Sequence, residues 1–282
     1  MSGGASGSPP DSGESPAHPP NETVDPSAAG ERITSFVADY VDRADADGVV
    51  VNLSGGLDSS VTVTLAVEAL GADSVYGLVL PSSKLGGAGA RDAEAVADVL
   101  GIDYDTLQVQ PLLAQLADVA PSCVDLHGDP VLRGNLVARL RMALAYLVAN
   151  DSGRLVAGTT NRSELLLGYF TKYGDGAADL LPLGDRYKTE VVELAEELDV
   201  PEFVVEKPPT AGFWPGQTDE RDLGASYEVI DAVLALHVEA GLGRPAVRAE
   251  LDADPDAIDR ILDYYEATGH KRTFAPTPED RA

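Results

Sequence analysis

Three stretches of this chain hold residue types that could do chemistry. In the first, Ser54-Gly55-Gly56-Leu57-Asp58-Ser59-Ser60 follows the apolar run Val49–Leu53 and precedes apolar residues at helical spacing. Backbone N–H groups at a helix mouth, uncovered where glycines lack Cβ atoms and joined by the positive end of the helix dipole, make an anion site. Phosphate is the expected ligand. No lysine follows the glycines, so the loop is not the G-x-x-x-x-G-K-[ST] type. In the second, Leu155–Glu164 reads as a strand end followed by Gly158-Thr159-Thr160-Asn161-Arg162-Ser163-Glu164. If that end stands beside the first loop, Glu164 and Asp58 meet. Two carboxylates with phosphate oxygens are what Mg2+ asks for, since it takes hard oxygen ligands octahedrally and keeps several waters. Taken alone, Glu164 reads more readily as an ordinary acid at a helix N-terminus.

The third stretch, Gly168–Lys188, is long and irregular, with Gly174, Gly176, Asp175 and Asp179. Structureless loops of such length inside compact domains are uncommon and are more often binding loops. The chain has only five lysines against fifteen arginines: Lys84, Lys172, Lys188, Lys207 and Lys271. A compact point charge aimed at a phosphate or carboxylate is one reason to retain a lysine where arginine is otherwise preferred.

These residues need elements to position them. Ile33, Phe36, Val37, Tyr40 and Val41 recur at i, i+3, i+4, i+7, i+8, the period of an amphipathic helix. An alternation follows, with strands predicted over Val49–Leu53, Ser74–Leu80, Tyr104–Val109 and Arg154–Ala157. Helices are predicted over Ser59–Leu70, Arg91–Leu100 and Leu132–Val148. Short β-rich runs alternating with helices imply crossovers and a doubly wound parallel sheet with helices on both faces, an α/β fold. Ligands of such sheets sit at the carboxyl ends of the strands, where the Ser54 loop falls. Beyond Gly158 the pattern predicts helices near Lys188–Leu198, Leu223–Val238 and Pro255–Thr268. Asp219 and Glu220, in Trp214-Pro215-Gly216-Gln217-Thr218-Asp219-Glu220, suit either a lid over a substrate or an ordered surface loop.

Composition narrows the class. At 282 residues and 44% hydrophobic, the chain can bury one substantial core. Residues 1–30, rich in Gly, Ser, Pro and Asp, read as a disordered tail, 31–275 as the folded domain and 276–282 as a flexible C-terminus. Acids outnumber bases 47 to 20, a net charge of -27, which argues against a nucleic-acid partner. Such charge repels itself in dilute buffer, but at molar salt the Debye length falls to roughly 3 Å. A very salty cytoplasm is the setting this implies. The single cysteine, Cys123, offers neither a disulfide framework nor a Cys-x-x-Cys metal site. With no secretory h-region and no run of ~20 apolar residues, neither export nor a membrane span is expected.

The first loop resembles the SGGxDS pyrophosphate loop of ATP pyrophosphatases, which split ATP into AMP and pyrophosphate. With GTTNRSE, GYFTKYGDGAADLLPLGDRYK, PPTAGFWPGQTDE and the terminal GHKR, the chain from about Glu31 to Phe274 resembles the ammonia-dependent, single-domain NAD synthetases. FTKYGDG followed by AADLLP is the discriminating piece. The resemblance implies an adenine nucleotide alpha hydrolase-like fold and conversion of deamido-NAD, ATP and ammonia into NAD, AMP and pyrophosphate with Mg2+, by a homodimer. By motif, Asn52, Leu53, Ser54, Gly55, Gly56, Leu57, Asp58 and Ser59, with Thr159, Lys188 and Thr210, would bind ATP. Asp58 and Glu164 would hold Mg2+ and, with Lys188, form the catalytic set. Arg139, Lys172, Asp179, His270 and Lys271 would contact deamido-NAD. Thr160-Asn161-Arg162-Ser163 departs from the Asp-His-Ala-Ala of bacterial members, as Leu57 does from their Gln. The rival readings are another ATP pyrophosphatase and a non-catalytic nucleotide sensor of the same fold.

Overall fold

A computed structural model describes residues 25–82, 87–126, 128–210, 212 and 216–278. Residues 1–24 of the expected tail, residues 279–282, Lys84, Trp214 and Pro215 lie outside the described residues. Helix α1 (Pro26–Arg43) leads into β1 (Val49–Leu53), α2 (Leu57–Leu70), β2 (Val75–Val79), α3 (Gly87–Leu100) and β3 (Asp103–Thr106). Two helices, α4 (Gln110–Val119) and α5 (Pro130–Asp151), carry the chain back to β4 (Leu155–Ala157). After the sheet come α6 (Arg162–Leu167), α7 (Lys188–Glu197), α8 (Glu202–Val205), α9 (Asp219–Leu223), α10 (Tyr227–Leu234), α11 (Arg244–Glu250) and α12 (Pro255–Ala267).

The sheet is parallel, in the order β3-β2-β1-β4. Alternation along β1 divides the core. Val49, Val51 and Leu53 face a layer made by α1, α2, α3 and α7, whereas Val50 joins Leu78, Val156 and the α4–α5 layer. Both faces are therefore covered, and β1, β2 and β4 are largely apolar, as buried parallel strands require, whereas the edge strand β3 is polar and mostly exposed. A second apolar cluster, built on Leu167, Leu223, Ile230, Leu234 and Ile258, joins α6 to the C-terminal helices.

Topology creates the crevice. The chain steps outward from β1 to β2 to β3, then returns to the far side of β1, so the order reverses between β1 and β4. At that switch point the loops leaving the two strands diverge. Val51 pairs with Ala157, so the residues after β4 rise beside Asn52–Gly55. Leu180 makes one further parallel bridge to Ala157, placing the end of the long loop at the sheet's margin.

Helices α2, α3 and α5 run a few residues beyond their predicted bounds, and three differences go further. Helix α1 begins at Pro26, inside the expected tail; Pro occupies the first turn, and Ala29 and Gly30 are buried, Gly30 beside Leu194 and Leu65. The single helix expected from Leu223 is two, because Gly224 at φ 74° ends α9 and Ser226 opens α10. Strand β3 stops at Thr106, and Val109 instead begins α4, a helix the sequence reading lacked.

Candidate active site

The Ser54 loop turns sharply into α2. Gly55, at φ +71°, turns the chain, and a Cβ there would lie 2.2 Å from the carbonyl oxygen of Gly89 on α3. Only glycine fits. The serines close the turn from within: Gly56 N–H donates to Ser54 Oγ at 3.2 Å, and Ser59 and Ser60 Oγ donate to Gly56 O at 3.0 and 2.9 Å. No side chain caps α2, whose N-cap is Gly56. Asn52 Oδ1, at the end of β1, is a buried acceptor without a partner.

Beside this loop, Asn161 joins the two acids. It is fully buried and caps α6, accepting from Glu164 N–H at 3.0 Å through Oδ1, while its own N–H points back to Glu164 Oε2 at 3.4 Å. That is a capping box. The Asn161 amide nitrogen donates to Asp58 Oδ1 at 2.9 Å, and the other Asp58 oxygen takes an ion pair from Lys188 Nζ at the start of α7. Asp58, Glu164 and Lys188, up to 130 positions apart, thus share one mouth.

Electrostatics mark the same place. Burial, then the charge of Asp58, push the Glu164 carboxyl well above its ordinary range, with Lys188 only partly opposing them. Burial works against the Lys188 ammonium, yet Asp58, Glu164 and Asp219 together hold it above the usual lysine range. Asp219 is buried and raised by burial, opposed in part by hydrogen bonds from Tyr227 (2.9 Å) and Tyr169 (3.2 Å). Three carboxyl groups face one lysine.

The fit to a divalent cation follows from this donor set. Among the described residues no group of three or more His, Cys, Asp or Glu is placed to hold a metal, so the protein would supply Asp58 and Glu164 and the rest of an octahedron would be phosphate and water oxygens. Adjacent carboxylates, one of them desolvated, are an arrangement that such a cation relieves.

A second group gathers beside the first. Arg139 on α5 donates to Lys172 O at 3.3 and 3.2 Å, and Lys172 Nζ bonds the His270 carbonyl. Lys271 Nζ holds the carbonyls of Gly168 (2.7 Å) and Phe170 (2.9 Å), and burial lowers its pKa. Asp179 accepts from Val156 N–H at 2.7 Å and from the Tyr146 hydroxyl at 3.2 Å, binding the long loop to β4. Thr159 lies two residues beyond the end of β4. Thr210 is exposed and accepts from Gly212 N–H, with no bond to either group.

Some residues escaped the sequence reading. Asp219, read as lid or surface loop, is 3% exposed and packs under Lys188. Asp231 accepts from Ser163 Oγ (2.5 Å), Thr189 N–H (3.0 Å) and Thr189 Oγ1 (3.0 Å), while Ser163 Oγ accepts from Lys188 N–H (2.8 Å). One buried carboxylate therefore ties the starts of α6 and α7 together. An acid beside Ile230, Val233 and Leu234 on an apolar helix face was the available signal, as was the Asn161-x-x-Glu164 spacing for the cap.

The family model for NAD synthase matches residues 29–275. The chain belongs to the NAD synthase family. An NH3-dependent NAD(+) synthetase of Halobacterium salinarum is 46% identical over 248 residues, 88% of this chain and 91% of that one. Its counterpart from Methanocaldococcus jannaschii is 43% identical over 249 residues, 88% of this chain and 95% of that one. Among solved structures, an NMN synthetase from Francisella tularensis superposes with a TM-score of 0.81 at 35% identity, covering 91% of this chain and 99% of that one. An NH3-dependent NAD synthetase from Campylobacter jejuni gives 0.75 at 29%, covering 91% and 100%. Within this NAD synthase framework the junction of Asp58, Asn161, Glu164 and Lys188 sits at the sheet's switch point.

Proposed function

We propose that this chain amidates deamido-NAD with ammonia at the expense of ATP, through an acyl-adenylate, releasing NAD, AMP and pyrophosphate. A carboxylate is a poor acyl donor, so its oxygen first attacks the α-phosphorus of ATP and the Pα–O bond to pyrophosphate breaks. Ammonia then attacks the carbonyl carbon, the C–N bond forms and AMP leaves. Two anions meet in the first step. The uncapped N-terminus of α2 and the Lys188 ammonium supply fixed positive potential there, so the task is positioning and charge stabilisation, with no protein nucleophile. Asp58 and Glu164 would hold Mg2+, which when bound neutralises phosphate charge. Arg139, Lys172, Asp179, His270 and Lys271 would form the deamido-NAD side, and Thr159 and Thr210 would join the loop around ATP. The observation that carries the proposal is the Asn161 bridge, which draws two acids from distant strand ends to one mouth beside Lys188.

The finer setting belongs to the same proposal. A homodimer is supported by the resemblance and by apolar side chains left exposed on α4 and α5, among them Val119, Val131 and Leu147. No helix among the described residues is long and apolar enough to cross a membrane, and the acidic composition suits a salt-rich cytoplasm. The test is incubation with Mg-ATP, ammonium and deamido-NAD at high salt, following NAD and AMP. A parallel arm offers nicotinate mononucleotide. NAD and AMP in equal amounts are expected; AMP formed only with the mononucleotide, or no ATP consumption, overturns the reading.

A further inference from the structure

The phosphate loop has no lysine of its own, yet an ammonium from elsewhere lies against it. Lys207, just beyond α8, donates from Nζ to Gly55 O at 2.7 Å and pairs with Asp92 of α3 at 2.5 Å. Phe203, one turn earlier, has its ring centroid 5.7 Å from the same nitrogen. An ammonium has three N–H groups. Two meet these oxygens, and with the side chain still 35% exposed there is room for a third acceptor.

Its side of the loop is informative. Lys188 approaches from the β4 side, through Asp58, where Asn161 and Glu164 stand. Lys207 approaches from the opposite side, where Asp92 and Gly89 of α3 pack on Gly55. A nucleotide whose α-phosphorus must meet a carboxylate on the β4 side directs its outer phosphates the other way.

We infer that Lys207 is a phosphate-binding residue of this site, held at the loop by Asp92 and contacting the two outer phosphates of ATP, the part that departs as pyrophosphate. The inference rests on the reading that ATP's phosphates occupy the Ser54 loop. On binding, a phosphate oxygen becomes the third acceptor of Nζ. No proton or electron changes hands. The lysine offsets charge that grows on the leaving group as the Pα–O bond breaks.

The test uses inorganic pyrophosphate with Mg2+ and, separately, AMP as probes, titrated calorimetrically into the full chain at one fixed salt concentration. Lys207→Ala is expected to weaken pyrophosphate binding about tenfold or more, Lys207→Arg to restore most of it, and AMP affinity to stay within about twofold, because AMP lacks the outer phosphates. Asp92→Asn, which keeps the lysine but loosens its tether, is expected to weaken pyrophosphate by a smaller factor and carries the test if Lys207→Ala does not fold. Unchanged pyrophosphate binding in both Lys207→Ala and Asp92→Asn overturns the inference, as does a parallel fall in AMP affinity, which marks a collapsed loop. A parent chain that binds neither probe overturns the underlying ATP reading instead.

Discussion

Glu164 is held in a state that folding alone disfavours. Its carboxyl is buried beside Asp58, and both effects resist its ionisation. Glu164→Gln removes that repulsion while the amide oxygen can still serve the capping box, so thermal stability should hold or rise as turnover is lost. Asp58→Ala behaves differently. It strips Lys188, 3% exposed, of its ion-pair partner and leaves a buried ammonium short of countercharge, a change that costs on the order of 3 kcal/mol. Both variants should abolish NAD formation, but only Asp58→Ala should lower the urea midpoint. Steady-state assays and urea titrations of the two side by side check this, and near-normal turnover in either contradicts the metal assignment. Asp58 was legible in the sequence from the glycines beside it, whereas Glu164 read alone as an ordinary helix N-terminal acid and stood out only beside the first loop. Asn161 showed only the spacing of its cap, since its bond to Asp58 across the strand ends has no signature until the strands are paired.

The starts of α6 and α7 are placed by α10, from across the helical cluster. Asp231 accepts three hydrogen bonds, yet burial raises its pKa to about 6, against a usual 3.8. The folded protein therefore binds this proton more tightly than the unfolded chain does. The group's stabilising contribution is complete below about pH 4 and is lost as pH rises through 6, a change of about 3 kcal/mol. Asp231→Asn cannot titrate, so its stability relative to the parent should improve by up to that amount between about pH 4 and pH 8. Urea unfolding at several pH values measures it, and a difference independent of pH refutes it. The loop after β1 has its own constraint: Gly55→Ala sets a Cβ against the Gly89 carbonyl at positive φ, and should weaken Mg-ATP binding at least tenfold, read by calorimetry. Strand order to β4 could be read from the sequence because short apolar runs alternate with period-3.6 patterns, although α4 was missed between β3 and α5. Beyond Gly158 the periodic helices α7, α10 and α12 were legible by the same means, but the rest of that region was not. Its short helices α6, α8 and α9 have only 6, 4 and 5 residues, too few to show a period, and take their shape from contacts such as Tyr169 with Asp222 and Arg162 with Glu239.

For the whole molecule the dominant quantity is charge. With a net charge of -27, the fold carries repulsion that no single contact reveals. One groove between α1, α2 and α7 is lined by Glu31, Glu68 and Glu197 together with Gly30, Thr34 and Leu194, so three acids crowd a seam that the apolar packing of those helices must hold closed. At 0.1 M salt the Debye length is about 10 Å and such neighbours still feel one another; at 1 M it is about 3 Å and they do not. The thermal midpoint should therefore climb by roughly 10 °C or more as KCl rises from 0.1 to 2 M, the equivalent of a few kcal/mol in a domain of this size. The triple variant Glu31→Gln/Glu68→Gln/Glu197→Gln, remote from the Asp58 cluster, should be more stable than the parent at 0.1 M and gain less from added salt. Scanning calorimetry of both proteins across a KCl series decides the matter. If the triple variant gains as much from salt as its parent, acid crowding at this seam is not what salt relieves, and the stabilisation must come from ions acting on apolar burial throughout the fold.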